Sequence, residues 1–278
     1  MVDKLEIGLY DGSFFNKSLS LGRENEDLEP TYIRWVRHQV RPVCVFTDMF
    51  LHVARNIDCK RKIAILLEPP TPGKDTHYHY VETYPEDFDH IFTFDKSLVD
   101  GGRFKWYPVG GSWLSAEKWL IHDKSKDVSL IASVKRRAPG HILRHQIAEL
   151  SSLYEIDVMG TGYKPIKSKA TGLAEYRYSI VTESNKLDDY FTEKLIDCML
   201  TGTVPIYWGS PAIGDHFDMN GIITFDDLDQ LADILINVIS LDDYGGRIVA
   251  LARNHETASR FVIAEDWLYQ NWSHVFNE

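Results

Sequence analysis

Between Asp188 and Pro211 the chain reads DDYFTEKLIDCMLTGTVPIYWGSP, and its opening third gathers residues that can do chemistry. Ile196, Met199 and Leu200 recur at helical spacing and predict a core-facing helix, with Gly202 as its stop and Val204 to Trp208 as the next strand. The start of that helix is polar instead: Tyr190, Thr192, Glu193 and Lys194 crowd it. A helix N-terminus presents unpaired N–H groups and a partial positive charge, which suits a phosphate, and Lys194 adds a full charge. Such a start can clamp a diphosphate. It fits equally a helix capped by Asp189 or Thr192, with Glu193 and Lys194 on a solvated face. Neither a Gly-x-Gly-x-x-Gly nor a Gly-x-x-x-x-Gly-Lys fingerprint occurs, so dinucleotide and P-loop sites have no support.

Two further stretches carry candidate groups. In ASVKRRAPGHILRHQIAEL a strand runs into a helix, so Lys135, Arg136, Arg137 and Arg144 lie near a strand's carboxyl end, where open α/β sheets bind ligands. A basic loop with a Gly turn can also be simply solvated, and Arg144, within the first turn or so of the helix, is the better placed. In IAILLEPPTP a hydrophobic strand ends at Glu68 and is halted by Pro69 and Pro70. A carboxylate there is placed for a general base if partly desolvated, and is otherwise a surface strand end. HYHYVETY, read as a strand, puts His77 and His79 on one side with Glu82 near, yet no third strong ligand follows at a recognisable spacing. A loop that stacks on a sugar ring fits it better than a metal site, and no metal is expected. The acidic clusters EDFD, DHFD and FDDLD read as solvated loops.

These groups need a frame. LEIGLY, RPVCVFTD, RKIAILLEPP, FDHIFTFD and RFKWYPVG are short apolar runs ended by Gly, Pro or Asp, as parallel strands are. Gly110, Gly111 and the charged EKWLIHDKSKD mark a linker. VSLIASV, a helix around Arg144 to Tyr154, YEIDVMG, YRYSIVTE, the Glu193 helix, TVPIYWG and GIITFDD repeat the pattern, before helical segments at Leu228 to Leu241 and Asp243 to Trp272. The fold expected is α/β, with domains at 1–120 and 121–262 and a C-terminal helix, 263–278, packing back on the first. The cleft between two such domains is the default ligand site.

Composition narrows the classes. With 278 residues and 44% hydrophobic content the chain can bury one large or two medium cores. A net charge of −11 argues against nucleic acid and anionic membrane as partners. Cys44, Cys59 and Cys198 are too scattered for a disulfide framework or a zinc knuckle. No apolar run approaches a membrane span and no signal-peptide pattern opens the sequence, so neither an anchor nor export is expected and the location expected is cytoplasmic.

The stretch YRYSIVTESNKLDDYFTEKLIDCMLTGTVPIYWGSPAIGDHF, followed by GIITFDDL, resembles the signature region of the α-1,3/4-fucosyltransferases, glycosyltransferase family 10, and is similar in particular to its bacterial members, with their Tyr-x-Thr-Glu-Lys helix and Pro-Ile-Tyr-Trp-Gly-Ser-Pro strand and turn. Weaker similarity runs upstream through RHQIAEL, LLEPPTP, DHIFTFD and WYPVG. The resemblance implies a GT-B fold, two Rossmann-like domains facing across a cleft, with the acceptor on the first and the sugar nucleotide on the second. It implies transfer of L-fucose from GDP-fucose to a glycan hydroxyl with inversion, in α-1,3 linkage, without a metal and with no cofactor beyond the donor. Glu68 then answers to the catalytic base and Arg144 to the phosphate-binding arginine. Lys194 neutralises the leaving GDP, Glu193 binds a hydroxyl and stabilises the anomeric carbon, and Tyr190 lines the donor pocket, with Glu183, Ser184 and Asn185 also on the donor.

This chain departs from the family where Ser184 replaces an Asn that helps hold the donor, which leaves a different nucleotide sugar as an alternative. A glycan- or nucleotide-binding module without turnover is a second alternative, although it would need no base and leaving-group clamp together. Candidate acceptor loops are Asn16 to Glu29 and Pro69 to Pro85.

Overall fold

A computed structural model describes residues 3–12, 16–70 and 77–277. The chain divides into two units, Met1–Gly111 with Ile263–Glu278, and Ser112–Val262. In the first unit six strands, β1 (Leu5–Tyr10), β2 (Ile33–Arg37), β3 (Val43–Thr47), β4 (Arg61–Ile65), β5 (His90–Thr93) and β6 (Phe104–Trp106), form a sheet in the order β2-β1-β3-β4-β5-β6. In the second, β7 (Lys126–Ile131), β8 (Asp157–Met159), β9 (Tyr176–Thr182), β10 (Val204–Trp208) and β11 (Ile223–Thr224) are ordered β11-β10-β9-β7-β8. Every pairing is parallel.

Strands such as VCVFT are buried at all positions, because a parallel sheet has both faces covered, and this is why they read as unbroken apolar runs. Both sheets share one logic. Each starts in the interior, adds its second strand on one side and all later strands on the other. The order therefore reverses between β1 and β3 in the first unit and between β7 and β9 in the second. Loops at the carboxyl ends of those strand pairs diverge, which is where doubly wound sheets open to ligands.

Among the described residues seven α-helices complete the framework: α1 (His77–Thr83), α2 (Pro139–Glu149), α3 (Glu193–Leu200), α4 (Leu228–Asp233), α5 (Leu241–Ser259), α6 (Ala264–Trp272) and α7 (His274–Asn277). Five of them correct the sequence reading. HYHYVETY is helical, so His77 and His79 are about 200° apart around α1 rather than on one side of a strand. The helix expected over Arg144 to Tyr154 begins at Pro139, whose fixed φ suits a first helical position, and places Arg144 in its second turn. The expected run from Asp243 to Trp272 breaks between α5 and α6. The run from Leu228 ends as α4 and a short π-helical stretch, Ile234–Val238. Of the two candidate acceptor loops, the second passes through residues 71–76, outside the described residues.

The first unit's core joins Ile7, Leu9, Val45, Ile63 and Phe92 of the sheet to Ala264, Leu268, Val275 and Phe276 of α6 and α7. A carboxylate is buried beside them. Glu265 of α6 accepts hydrogen bonds from the Leu19 amide, from Ser18 Oγ (2.9 Å) and Ser20 Oγ (2.8 Å), and from Trp35 Nε1 (3.0 Å). At the boundary Gly111 has φ +93°, and a Cβ there would lie 2.4 Å from the Ser20 carbonyl oxygen, so only glycine fits this turn.

Glu265→Gln sets an amide N–H against donors that now meet a carboxylate. The variant is expected to lose about 3 kcal/mol of stability, read by urea unfolding, because buried donors lose their acceptor. Exposed Glu256→Gln, changed in parallel, should shift the midpoint little.

Candidate functional site

In the second unit β9 delivers Thr182 and Glu183 to the sheet's carboxyl edge, beside the reversal point, and the ladder runs one bond further, from Glu183 N to Trp208 O at 2.9 Å. Glu183 is wholly buried. Its Oε1 accepts from Thr192 N (2.9 Å) and its Oε2 from Thr192 Oγ1 (2.8 Å) and Lys194 Nζ (3.2 Å). This carboxylate fixes the start of α3 and aims its lysine. Thr192 is the N-cap and α3 begins at Glu193, so the polar start lies two residues later than a helix opening at Tyr190. The intervening turn holds Asp189 at φ +58° and seats the buried Tyr190, whose hydroxyl is 3.2 Å from Ser184 Oγ. Asn185 Nδ2 donates to the same Ser184 oxygen at 3.3 Å.

Arg144 of α2 reaches the same strand end. It is 7% exposed, and its Nε and Nη2 donate to Thr182 Oγ1 and the Thr182 carbonyl, both at 2.8 Å. No carboxylate lies within ion-pair distance of it among the described residues; burial lowers its pKa, and the charges of Glu183 and Glu193 oppose that shift. Contact between α2 and β9 is close because position 140 has no side chain. A Cβ on Gly140 would lie 1.7 Å from the Glu183 carbonyl oxygen, whereas Gly140 N now donates to the Ser184 carbonyl at 3.0 Å.

Glu193 and Lys194 sit in a network the sequence did not disclose. Lys169 Nζ lies 2.9 Å from Asp197 Oδ2 and 3.4 Å from Glu193 Oε1, under the Trp113 ring at 4.8 Å from its centroid. Lys194 Nζ is 3.6 Å from Glu193 Oε1. Burial opposes the charge on Glu193, but Lys194 and Lys169 outweigh it and bring its pKa down to about 2. Burial likewise opposes the charge on Lys194, which Glu183 and Glu193 hold above the usual lysine range. Both groups are charged at neutral pH. His141 of α2 was also missed: burial, then the positive charges of Arg144, Lys135 and Lys194, lower it to about 4. Its Nδ1 accepts from Ala138 N at 3.2 Å, so the neutral ring carries its proton on Nε2. Burial is the larger cause of this depression, and the neighbouring positive charges add to it. No sequence motif announced Lys169 or His141; only the loop and helix that carry them bring them here.

The structure thus gathers Arg144, Glu183, Ser184, Asn185, Tyr190, Glu193 and Lys194 at one strand edge, while Lys135, Arg136 and Arg137 are exposed on the neighbouring loop. Glu68 belongs to the first unit. It follows β4 at that sheet's carboxyl end, exposed, with its amide 3.4 Å from Asp48 Oδ1. A cavity of about 510 Å³ lined by Arg55, Cys59, Lys62, Glu86, Asp87, Phe88 and Asp89 lies at the opposite, amino ends of β4 and β5 and contains none of these residues. Among the described residues no group of His, Cys, Asp and Glu could hold a metal ion, and no helix is long and apolar enough to cross a membrane.

Gly140→Ala is expected to part α2 from β9, to cost about 2–3 kcal/mol of stability in denaturant titrations and to weaken pyrophosphate binding in calorimetry. The His141 ring, followed by NMR, should titrate near pH 4 without ligand and move upward when pyrophosphate supplies negative charge to Arg144 and Lys194.

Comparison with known proteins agrees with this geometry. Residues 121–244 match the model of glycosyltransferase family 10 (fucosyltransferase), C-terminal part. An alpha-(1,3)-fucosyltransferase of Helicobacter pylori is 35% identical over 66 residues, 24% of this chain and 14% of that protein. GDP-fucose protein O-fucosyltransferase 3 of Bos taurus is 44% identical over 48 residues, 17% of this chain and 10% of its own length. The chain therefore spans a small part of these relatives. A crystal structure of an alpha1,3-fucosyltransferase with GDP-fucose superposes with a TM-score of 0.59 over 99% of this chain and 91% of the other, at 16% identity, which shows the expected α/β fold of the GT-B class. The cation-lined strand edge lies within residues 121–244, the segment that matches the C-terminal model of glycosyltransferase family 10.

Proposed function

We propose that this protein transfers an L-fucosyl group from GDP-fucose to a glycan hydroxyl, in α-1,3 linkage and with inversion at the anomeric carbon. The observation that carries the reading is Arg144: a buried guanidinium held by Thr182, with no carboxylate paired to it among the described residues, beside Lys194 and the start of α3. Two cations and a helix N-terminus suit a diphosphate. The crystal structure with GDP-fucose that shares the fold, and the fucosyltransferases similar in sequence, support that identity for the diphosphate's substituents.

In this mechanism Glu68 takes the proton of the acceptor hydroxyl as its oxygen attacks the anomeric carbon. The bond from that carbon to the phosphate oxygen breaks, and its electron pair leaves with GDP. Arg144 and Lys194 neutralise the charge that builds on the leaving diphosphate. Glu193, ionised at working pH, holds a hydroxyl and faces the positive charge that develops on the sugar. Glu183 acts on the donor through Lys194 and Thr192. With the leaving group neutralised by side chains, no metal is needed, and activity is expected to survive EDTA.

Ser184 favours a second reading of the sugar. Its hydroxyl bridges Tyr190 and Asn185 in place of the longer amide found in the family, which leaves room for a different donor. A panel of GDP-fucose, GDP-mannose and UDP-glucose, read by thermal stabilisation, decides between donors; saturation at a hundred times the dissociation constant adds about 2.7 kcal/mol. Glu68→Gln is expected to lower turnover at least about 100-fold while keeping donor binding. Arg144→Ala should abolish the stabilisation by GDP. If Glu68→Gln transfers at the wild-type rate, Glu68 is not the base.

A further inference from the structure

The carboxyl edge of the first sheet carries a second acidic group that no step above uses. Asp48 follows β3 directly, with φ +33°, the left-handed region that side chains avoid. It is 3% exposed. Its Oδ1 accepts from Leu67 N (2.9 Å) and Glu68 N (3.4 Å), while Oδ2 is buried and makes no hydrogen bond among the described residues. Neighbouring Asp11 is built differently: Thr47 Oγ1 donates to its Oδ1 at 2.6 Å and Arg37 to its Oδ2 at 3.2 Å. A buried carboxylate kept for structure is given such partners. Asp48 has a strained backbone, an orphan oxygen and a direct hold on the main chain of Glu68.

We propose that Asp48 is a positioning residue for the Glu68 base, fixing the Glu68 main chain through Oδ1 with a hold that strengthens when Asp48 is ionised. The inference rests on the reading of Glu68 as the base. Burial pushes Asp48 up to about 7; the Leu67 amide opposes this, and the charges of Glu68 and Asp11 add to it. The other titratable groups on elements packed against the Asp48 segment are His52 and Arg55 on the segment itself, His77, Tyr78, His79, Tyr80 and Glu82 on α1, Cys44 on β3, and Arg61 and Lys62 on β4, where Lys62 Nζ donates to the Ala54 carbonyl; Arg37 is engaged by Asp11. Above pH 7 the ionised Asp48 accepts from the Leu67 and Glu68 amides as a carboxylate, a charge-assisted hold that keeps the Glu68 main chain in place. Below pH 7 that help is withdrawn. The sign for stability is opposite. The folded chain holds the Asp48 proton between the ordinary aspartate value and about 7 whereas the unfolded chain does not, so this residue makes the fold weaker as pH rises through that window.

The test is Asp48→Asn, which keeps an oxygen for the two amides and removes the charge. Wild-type kcat is expected to rise through pH 7; the variant should stay at its low-pH level, about tenfold below wild type at pH 8, with unchanged KM for GDP-fucose. Its melting temperature should exceed wild type by about 4 °C or more at pH 8, and by less at pH 5. Asp48→Ala, which also frees the amides, should lose more turnover, and Asp48→Asn carries the test if the alanine variant does not fold. A wild-type kcat profile in Asp48→Asn, or a melting difference equal at both pH values, overturns the proposal. Glu68→Gln measured alongside separates the two ideas. Transfer that survives in it removes the base itself, whereas transfer lost in it, with an unchanged pH profile in Asp48→Asn, removes only the role of Asp48.

Discussion

The start of α3 hangs on the burial of one carboxylate. A charge as deep as that of Glu183 is tolerated only because both oxygens are filled, and the groups that fill them are the cap and the lysine of α3. Neutralising Glu183 therefore reaches further than one ion pair: the helix start, the direction of Lys194 and the turn through Tyr190 depend on the same two oxygens. The surrounding charges alternate, Lys194 against Glu193, Glu193 against Lys169, Lys169 against Asp197, so each side chain is held from two sides. Arg144 stands outside this alternation. It is anchored by a hydroxyl and a carbonyl, which orient a guanidinium without neutralising it.

The two sheets put chemistry at equivalent places. In each, polar residues gather where strand order reverses: Asp11 and Asp48 with Glu68 in the first, Thr182 and Glu183 with Arg144 in the second. Their signs differ. The first edge is acidic, which suits removal of a proton, and the second concentrates cations, which suits a phosphate. The net charge of −11 says nothing of this division, because the cations that matter are few and local.

Most strands were legible because parallel strands are apolar on both faces, and VCVFT or TVPIYWG admits little else. Helix starts were harder. Tyr190 and Phe191 are aromatic residues before a Thr-Glu-Lys turn, and nothing local says that Asp189 takes a left-handed backbone and delays the helix to Glu193. HYHYVETY alternates ring and polar residues as a strand would, yet it folds as α1, since packing against the segment after β3 overrides so weak a pattern. Arg144, Glu193 and Lys194 were found from chemistry plus resemblance. Lys169, His141 and Asp48 were not, because Lys169 reaches Glu193 and Asp197 across 24 and 28 residues, Asp48 reaches Glu68 across 20, and the placement of α2 alone sets the surroundings of His141, none of which a spacing rule encodes.

The return of residues 263–278 to the first unit also sets an order of events in folding. The sheet of β1 to β6 leaves the ribosome long before α6, so the surface that Ala264, Leu268 and Val275 will cover stays wet while the whole of 112–262 is made. Ser18, Ser20 and Trp35 wait equally for Glu265, more than 200 positions downstream. The second unit has no such wait, since its core closes within its own stretch of chain. During synthesis, then, the first unit is finished last, and the unit that carries Arg144 and Lys194 can be in place while the one that carries Glu68 is still incomplete.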